Sequence, residues 1–585
     1  MIKFLPTLLL LLLPLALGRE VHISVNTTTQ YDVLPPIARF FGADEPNYAY
    51  YPNGELLLSE LGNLNPNHQT YFRTHNLLTT CSPLDNVTPR LKWGCTNAYT
   101  EDPATTGEAV YNWTIIDRIF DAYLARNVKP YVQIGFMPKA LAREPVEPYT
   151  FHFDPESSVN EIFTGWTHEP RSYEEWGELV YAWTRHEVEL RGEREVESWY
   201  WEPWNEANIG YWNGTEEEFF KLYDYAVENV RRALPGARVG GPEVAGGPDG
   251  EWLGRFLNHT VDGTNTVTGK DNGSPLDFIS FHAKGAPIYI NSTAETPGHL
   301  QMNASASLQN SRDAFSVISS YSELKSKPII IGEDDPDGCA ACVSDAYDYR
   351  NGLIYPSYTA EVFARNMQLA REYDVNLEGA VTWAFEFEDH AYFDGYRVLA
   401  TNGIDKPILN IFRMFGMLTG RRVASHSSGE KALDTVVEES VVAEADVGVL
   451  AAFNETTERL AVMVWNYHDD DLPKPDADIT LDVTGLTEEA KGGWRHWRSW
   501  RSWRDCEKVR ITHYRIDNDH SNSYIKWLAM GSPQEPTAEQ YAELQAAGKL
   551  QMLERPQHVA ARDGKVEVKF SLPLQAVTLL IFERR

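Results

Sequence analysis

The sequence predicts an α/β protein, a (β/α)8 TIM barrel followed by a C-terminal antiparallel β-sandwich-like domain. Three observations carry that expectation. Between residues 36 and 420, short apolar runs alternate with amphipathic stretches, as parallel strands alternate with crossover helices. The runs number eight, which is what a closed barrel requires. After Leu418 the pattern changes to period-two segments separated by charged turns.

The eight strand-like runs are ARFFGA (38–43), YFRTHN (71–76), PYVQIGF (130–136), SWYWEPW (198–204), RVGGPEV (238–244), DFISFH (277–282), PIIIGE (328–333) and GAVTWAF (379–385). Helical spacing of apolar residues marks Ile115 to Arg126, Tyr173 to Glu189, Thr215 to Ala233, Ala314 to Leu324 and Ala360 to Glu372. The later strands are read at Val441 to Phe453, Leu460 to Trp465 and Ala576 to Phe582. Residues 19–35 form an N-terminal strand segment that can join the β domain, because chain ends often lie close together. The division is therefore a barrel over 36–420 and an accessory β domain over 421–585.

Residues 1–18 read as a secretory signal peptide, with Lys3 ahead of an apolar run from Leu8 to Leu17 and small residues near a cleavage point. That run is too short for the roughly 20 residues of a spanning helix, so no membrane insertion is expected. Nine Asn-x-Ser/Thr sequons, at Asn26, Asn86, Asn112, Asn213, Asn258, Asn272, Asn291, Asn303 and Asn454, agree with a secreted, extracellular glycoprotein. Of five cysteines, Cys81 with Cys95 and Cys339 with Cys342 are the expected disulfides, which leaves Cys506 over. A zinc site on the lone C-x-x-C lacks two further ligands nearby. With 84 acidic against 52 basic residues, the formal charge of -32 repels nucleic acid and anionic membrane. One basic-aromatic patch, Trp494 to Arg504, reads either as a glycan or nucleic-acid platform or as a loop in which Arg stacks on Trp.

In such a barrel the reactive groups sit where strands end, at the carboxyl face. SWYWEPW ends in Asn205-Glu206 and PIIIG ends in Glu333-Asp334-Asp335, on the fourth and seventh runs, across the mouth from each other. Two carboxylates so placed suit glycosidic-bond cleavage, with retention at about 5 to 5.5 Å and inversion at about 6.5 to 9.5 Å. His282, Arg73 and His75 close other runs and can hold a carboxylate ionised. Asp334 and Asp335 oppose ionisation of Glu333 unless they point away or are paired, and Arg73 or Lys284 can compensate.

Several segments resemble the family 39 glycoside hydrolases, which contain β-xylosidases and α-L-iduronidases. They are GADEPNY (42–48), YFRTHNLL (71–78), QIGFMPKAL (133–141), WEPWNEANIGYW (201–212), DFISFHAKG (277–285), IIIGEDDP (329–336), NGIDKPILNIFRMF (402–415) and RIDNDHSNSYIKWLAMGSPQEPT (515–537). The resemblance implies that Glu206 is the acid/base, Glu333 the nucleophile, Asn205 a donor to the sugar 2-hydroxyl and His282 the group that orients Glu333. It makes Trp383 an aromatic platform for the sugar face, the alternative being a core tryptophan. Ala207 stands where the family usually has proline, which implies an adjusted strand exit.

The expectation is a retaining, exo-acting, β-xylosidase-like hydrolase that removes terminal sugars from plant or microbial polysaccharide or oligosaccharide. The alternative is an α-L-iduronidase-like or other exo-glycosidase, because Phe281 to Gly285 and Glu333 to Pro336 resemble the iduronidase forms, with Lys284 meeting a substrate carboxylate. Lys284 serves equally well to neutralise Asp334 or Asp335. A weaker alternative is a non-catalytic glycan-binding protein on a hydrolase scaffold. The partner is carbohydrate, and the reaction calls for two carboxylates and water with no metal or organic cofactor.

Overall fold

The computed structural model describes residues 18–81, 94–105, 107–145, 165–246, 250–294, 296–340, 342, 345–383, 385–388, 390–486 and 508–584. The first strand, β1 (Arg19–Val33), precedes the barrel. The barrel strands are β2 (Phe40–Ala43), β3 (Thr70–Thr74), β4 (Val128–Ile134), β5 (Tyr200–Pro203), β6 (Arg238–Val244), β7 (Phe278–Lys284), β8 (Pro328–Asp335) and β9 (Asn376–Trp383). They close in chain order, with β9 pairing back onto β2 in parallel. Each of the eight apolar runs lies on one of these strands.

A helix follows each barrel strand: α1 (Pro52–Gly62), α2 (Thr114–Leu124), α3 (Tyr173–Arg191), α4 (Glu216–Ala233), α5 (Gly250–Asp262), α6 (Ala304–Ser319), α7 (Ile354–Glu372) and α8 (Pro407–Met417). Thr215 and Glu218 form a reciprocal capping box that starts α4. Helix α6 starts ten residues before the expected Ala314, where the Asn303 side chain caps it by accepting from Ala306 N–H at 3.1 Å. Its buried face carries Ser307 and Ser311 among apolar residues, which hides the helical period in the sequence.

Side-chain parity builds the barrel interior in floors. Phe40, Tyr71, Tyr131, Tyr200, Phe278 and Ile330 fill the lower floor, with ring centroids 5.2 Å apart for Phe40 and Tyr71 and 4.9 Å for Tyr71 and Tyr200. Two residues further along a strand, the same face is presented again. Tyr71 is followed by Arg73, Tyr131 by Gln133, Tyr200 by Glu202 and Phe278 by Ser280 and then His282, all buried. The aromatic floor therefore carries a polar floor directly above it, at the carboxyl ends of the strands.

Among the described residues the second sheet has ten strands: β1, then β10 (Arg421–Ser427), β11 (Asp446–Asn454), β12 (Arg459–Tyr467), β13 (Ala477–Thr484), β14 (Val509–Ile516), β15 (Gln551–Met552), β16 (Gln557–Val559), β17 (Val566–Leu572) and β18 (Val577–Arg584). Its order is β15-β14-β18-β12-β11-β10-β1-β13-β17, with β16 against β14. The sheet curls over so that Ile479 and Leu481 of β13 share one apolar core with Val462 and Val464 of β12 and Val509 and Ile511 of β14. Strand β1 pairs antiparallel with β10 and parallel with β13, so residues 19–33 lie well inside this sheet. The other face of β12 meets α7, where Trp465 Nε1 donates to Glu361 at 2.6 Å.

Both expected disulfides form, Cys81–Cys95 and Cys339–Cys342. Residues 1–17, Cys506 and the Trp494 to Arg504 patch lie outside the described residues. Among the described residues, no helix is long and apolar enough to cross a membrane.

Candidate active site

The exit of β5 places Asn205 and Glu206 by an irregular turn. Trp204 and Glu206 both adopt left-handed backbone conformations, at φ 69 and 46°, positions that non-glycine residues occupy mainly where surrounding structure enforces them. The Glu206 amide is tied to the carbonyl of Glu243, at the end of β6, at 2.8 Å. Its carboxylate is the more open of the strand-end pair, 13% exposed against 7% for Glu333.

Glu333 arrives on β8 after a register shift. Phe281 of β7 pairs with Ile331, but His282 pairs with Glu333, so Gly332 is an extra residue that re-aims the strand end. One nitrogen, His282 Nδ1, then lies 2.9 Å from Glu206 Oε1 and 3.9 Å from Glu333 Oε1. The two carboxylate oxygens can be no farther apart than those distances laid end to end.

Glu333 is held by cations. Arg73 Nη1 lies 3.3 Å from its Oε1, and Lys284 Nζ contacts its Oε2. Burial alone would raise its pKa, but Lys284, His282 and Arg73 outweigh it and hold the carboxyl down at about 2. The adjacent acids do not oppose this. Asp334 points away and accepts from Asn366 Nδ2 at 2.7 Å and Ser307 Oγ at 3.3 Å, and burial followed by the Asp335 charge pushes it up to about 8. Asp335 is paired with Lys284 at 2.9 Å and Arg397 at 3.0 Å.

Arg73 also donates to Glu202, to Asn205 Oδ1 at 2.8 Å, and lies 3.4 Å from Glu243. With the Asn205 oxygen so occupied, its Nδ2 is the donor left for a ligand. His75 is buried beside Trp383, ring centroids 4.2 Å apart, with Nδ1 2.9 Å from Asp44 Oδ1. Burial and then Arg73 lower its pKa, so the ring is neutral, and its Nε2 has no hydrogen-bond partner among the described residues. Trp383 is 3% exposed and belongs to the interior cluster, its indole N–H 3.3 Å from Asp44 Oδ2 and its ring under Arg73. Gly42 allows this, since a Cβ there would overlap the indole.

The profile of Glycosyl hydrolases family 39 matches residues 93–566. The chain belongs to this family. It is similar to a β-xylosidase of Geobacillus stearothermophilus, 25% identical over 486 residues that make up 81% of each chain. It is also similar to an α-L-iduronidase of Mus musculus, 24% identical over 502 residues, 80% of this chain and 68% of that one. In fold it matches a monomeric β-xylosidase from Caulobacter crescentus with TM-score 0.71 and 19% identity, covering 96% of this chain and 99% of that one. A bacterial orthologue of human α-L-iduronidase matches with TM-score 0.72 and 18% identity, over 97% and 84% of the two chains.

As a family 39 glycosyl hydrolase, the protein is a retaining enzyme acting on carbohydrate. The structure brings Arg73, Asn205, Glu206, His282, Lys284 and Glu333 into one cluster at the barrel mouth, with His75 and Trp383 packed on its Arg73 side. One placement differs from the expected ones: His282 Nδ1 bonds Glu206 at 2.9 Å and lies 3.9 Å from Glu333. Lys284 pairs with Asp335, one of its two expected partners, and with Glu333.

The polar floor of this enzyme has no strand-end signature in the sequence. Glu202 and Glu243 lie inside strand runs, and Arg397 lies in the loop after β9, outside any pattern. A signal existed for Glu202, which shares the inward parity of Tyr200.

Proposed function

We propose that the protein is a secreted, exo-acting, β-xylosidase-like hydrolase in which Glu206 is the acid/base and Glu333 the nucleophile. The observation that carries this reading is the pair of carboxylates gathered about one imidazole nitrogen, with Glu333 also in contact with Arg73 and Lys284. Glu333 attacks the anomeric carbon as protonated Glu206 donates to the leaving oxygen, and Glu206 then takes a proton from the water that releases the glycosyl-enzyme. The Asn205 amide supports the charge that develops at the ring by donating to the 2-hydroxyl. A neutral pentose suits the site because the Lys284 charge is already matched by Glu333 and Asp335. The Geobacillus stearothermophilus relative, a β-xylosidase, supports the same sugar. The apolar leader and nine sequons support secretion.

One observation favours the α-L-iduronidase-like alternative: Lys284, at the carboxyl end of β7, keeps 15% of its side chain exposed, so that a carboxylated sugar could meet it. Hydrolysis of a panel of aryl glycosides, with the first-formed anomer read by NMR, separates the two. The expected outcome is a β-xyloside turned over about tenfold or more faster than any uronide, with β-xylose released first. Inverted product sinks the mechanism. Faster uronide cleavage that Lys284→Ala abolishes sinks the sugar assignment.

A further inference from the structure

Glu243 is fully buried at the end of β6 and has no part in the two-carboxylate chemistry above. Its backbone is left-handed, at φ 53°. A Cβ at Gly332 would overlap its carboxylate, so the extra residue that re-aims β8 also makes room for it. Oε1 accepts from Tyr131 at 2.8 Å, and Oε2 lies 2.9 Å from His282 Nε2. Glu243 is thus hydrogen-bonded to Glu206 through its carbonyl, and its carboxylate makes an ion-pair contact, off hydrogen-bond alignment, with the imidazole whose Nδ1 meets Glu206 Oε1.

Three carboxylates, of Glu206, Glu243 and Glu333, lie within 3.9 Å of the imidazole nitrogens. A neutral imidazole carries one N–H, whereas the imidazolium presents a proton at both nitrogens. The phenolic proton of Tyr131 cannot serve both Glu202, at 2.7 Å, and Glu243, so the group holds one more proton. Burial and the Glu243 charge push Glu202 far above the usual range against the pull of Arg73. Glu243 is held well below the usual range, because Arg73, Glu202 and His282 overcome its burial.

We propose that Glu243 is a positioning residue that keeps His282 doubly protonated, so that Nδ1–H is always presented to Glu206 Oε1 and the catalytic proton is confined to Oε2. The inference rests on the acid/base assignment of Glu206 made above. The charged groups facing the imidazole are Glu206 from the β5 exit, Glu243 from β6 and Glu333 from β8. Behind them, Arg73 of β3 reaches Glu243 and Glu333, and Lys284 of β7 reaches Glu333. Burial alone would lower the imidazole pKa, but the three carboxylates raise it to about 9.

The test is the pH profile of kcat/KM in Glu243→Gln with an aryl xyloside of poor leaving group. Removing one adjacent negative charge is expected to move the alkaline limb down by about one pH unit or more. Glu202→Gln, an isostere of the protonated acid, is expected to leave the limb in place. An unmoved limb in a Glu243→Gln protein that melts cooperatively overturns the proposal, as does an equal shift in Glu202→Gln. Glu206→Ala is the control: it should slow poor leaving groups far more than activated ones, and its failure counts against the acid/base assignment rather than against Glu243. Should Glu243→Gln not fold, 15N spectra of histidine-labelled wild-type enzyme decide. His282 is expected to be an imidazolium at pH 8, and a neutral ring there overturns the proposal.

Discussion

Two buried arginines, each facing three carboxylates, serve opposite ends. Arg365 on α7 sits where the barrel meets the second sheet, paired with Glu361 at 2.7 Å, Glu430 at 3.1 Å and Asp446. Every nitrogen of its guanidinium has a partner, Glu361 is closed off by Trp465, and none of these side chains leaves a buried polar atom unpaired. Arg73 has the same charge pattern, but its partners lie at the carboxyl ends of the barrel strands. It bonds Asn205 beside Glu206, and among the described residues His75 Nε2 and the Gln133 amide are buried without partners. A closed network joins two units of structure, while an open one holds charges in place for a reacting molecule.

The largest effect expected from breaking this contrast is at Glu333. Glu333→Ala should lower kcat by a factor on the order of 10^5 or more, and azide should restore turnover with a glycosyl azide as product, detected by mass spectrometry. Activity near wild type without azide would remove Glu333 as nucleophile. Next come the two arginines. Arg365→Met should cost about 3 to 5 kcal/mol of unfolding free energy in urea melts and leave kcat of the folded enzyme unchanged. Arg73→Met should lower kcat by about 10^2-fold or more, since Glu333 loses a counter-charge and Asn205 its anchor. If both variants lose stability alone, the distinction between the networks fails.

The smallest effect concerns Asp334. Its folded pKa, about 8, lies above its unfolded value near 3.9, so the folded state holds the extra proton between those limits. Its contribution is fully present below the unfolded value and is lost as pH rises through about 8. Glu333 has the opposite sign, contributing above its unfolded value near 4.3 and losing that contribution as pH falls toward 2. Asp334→Asn mimics the neutral acid, so its melting temperature relative to wild type should rise from pH 5 to pH 8. A difference constant across that range would contradict the assigned state.

The contrast also explains what the sequence could reveal. Barrel strands were legible because β-branched and aromatic runs recur at crossover spacing, and Asn205, Glu206 and Glu333 because they interrupt those runs at their ends. Glu202, Glu243 and Arg365 each sit within a strand or helix whose neighbours look apolar, so their charge reads as a surface position until the partners converge from distant segments. The one-residue register shift that brings Glu333 level with His282 is encoded by no local pattern.

Strand β1 raises a matter of timing. Its partners, β10 and β13, are synthesised some 400 residues after it. The barrel can close on local crossover contacts while this segment waits, with the edge of an extended apolar strand uncovered. The second sheet can complete itself only when both ends of the chain are available. An excised fragment spanning 421–585 would lack an interior strand, and a fragment ending at 420 would carry that strand without neighbours, which makes it a candidate seed for aggregation.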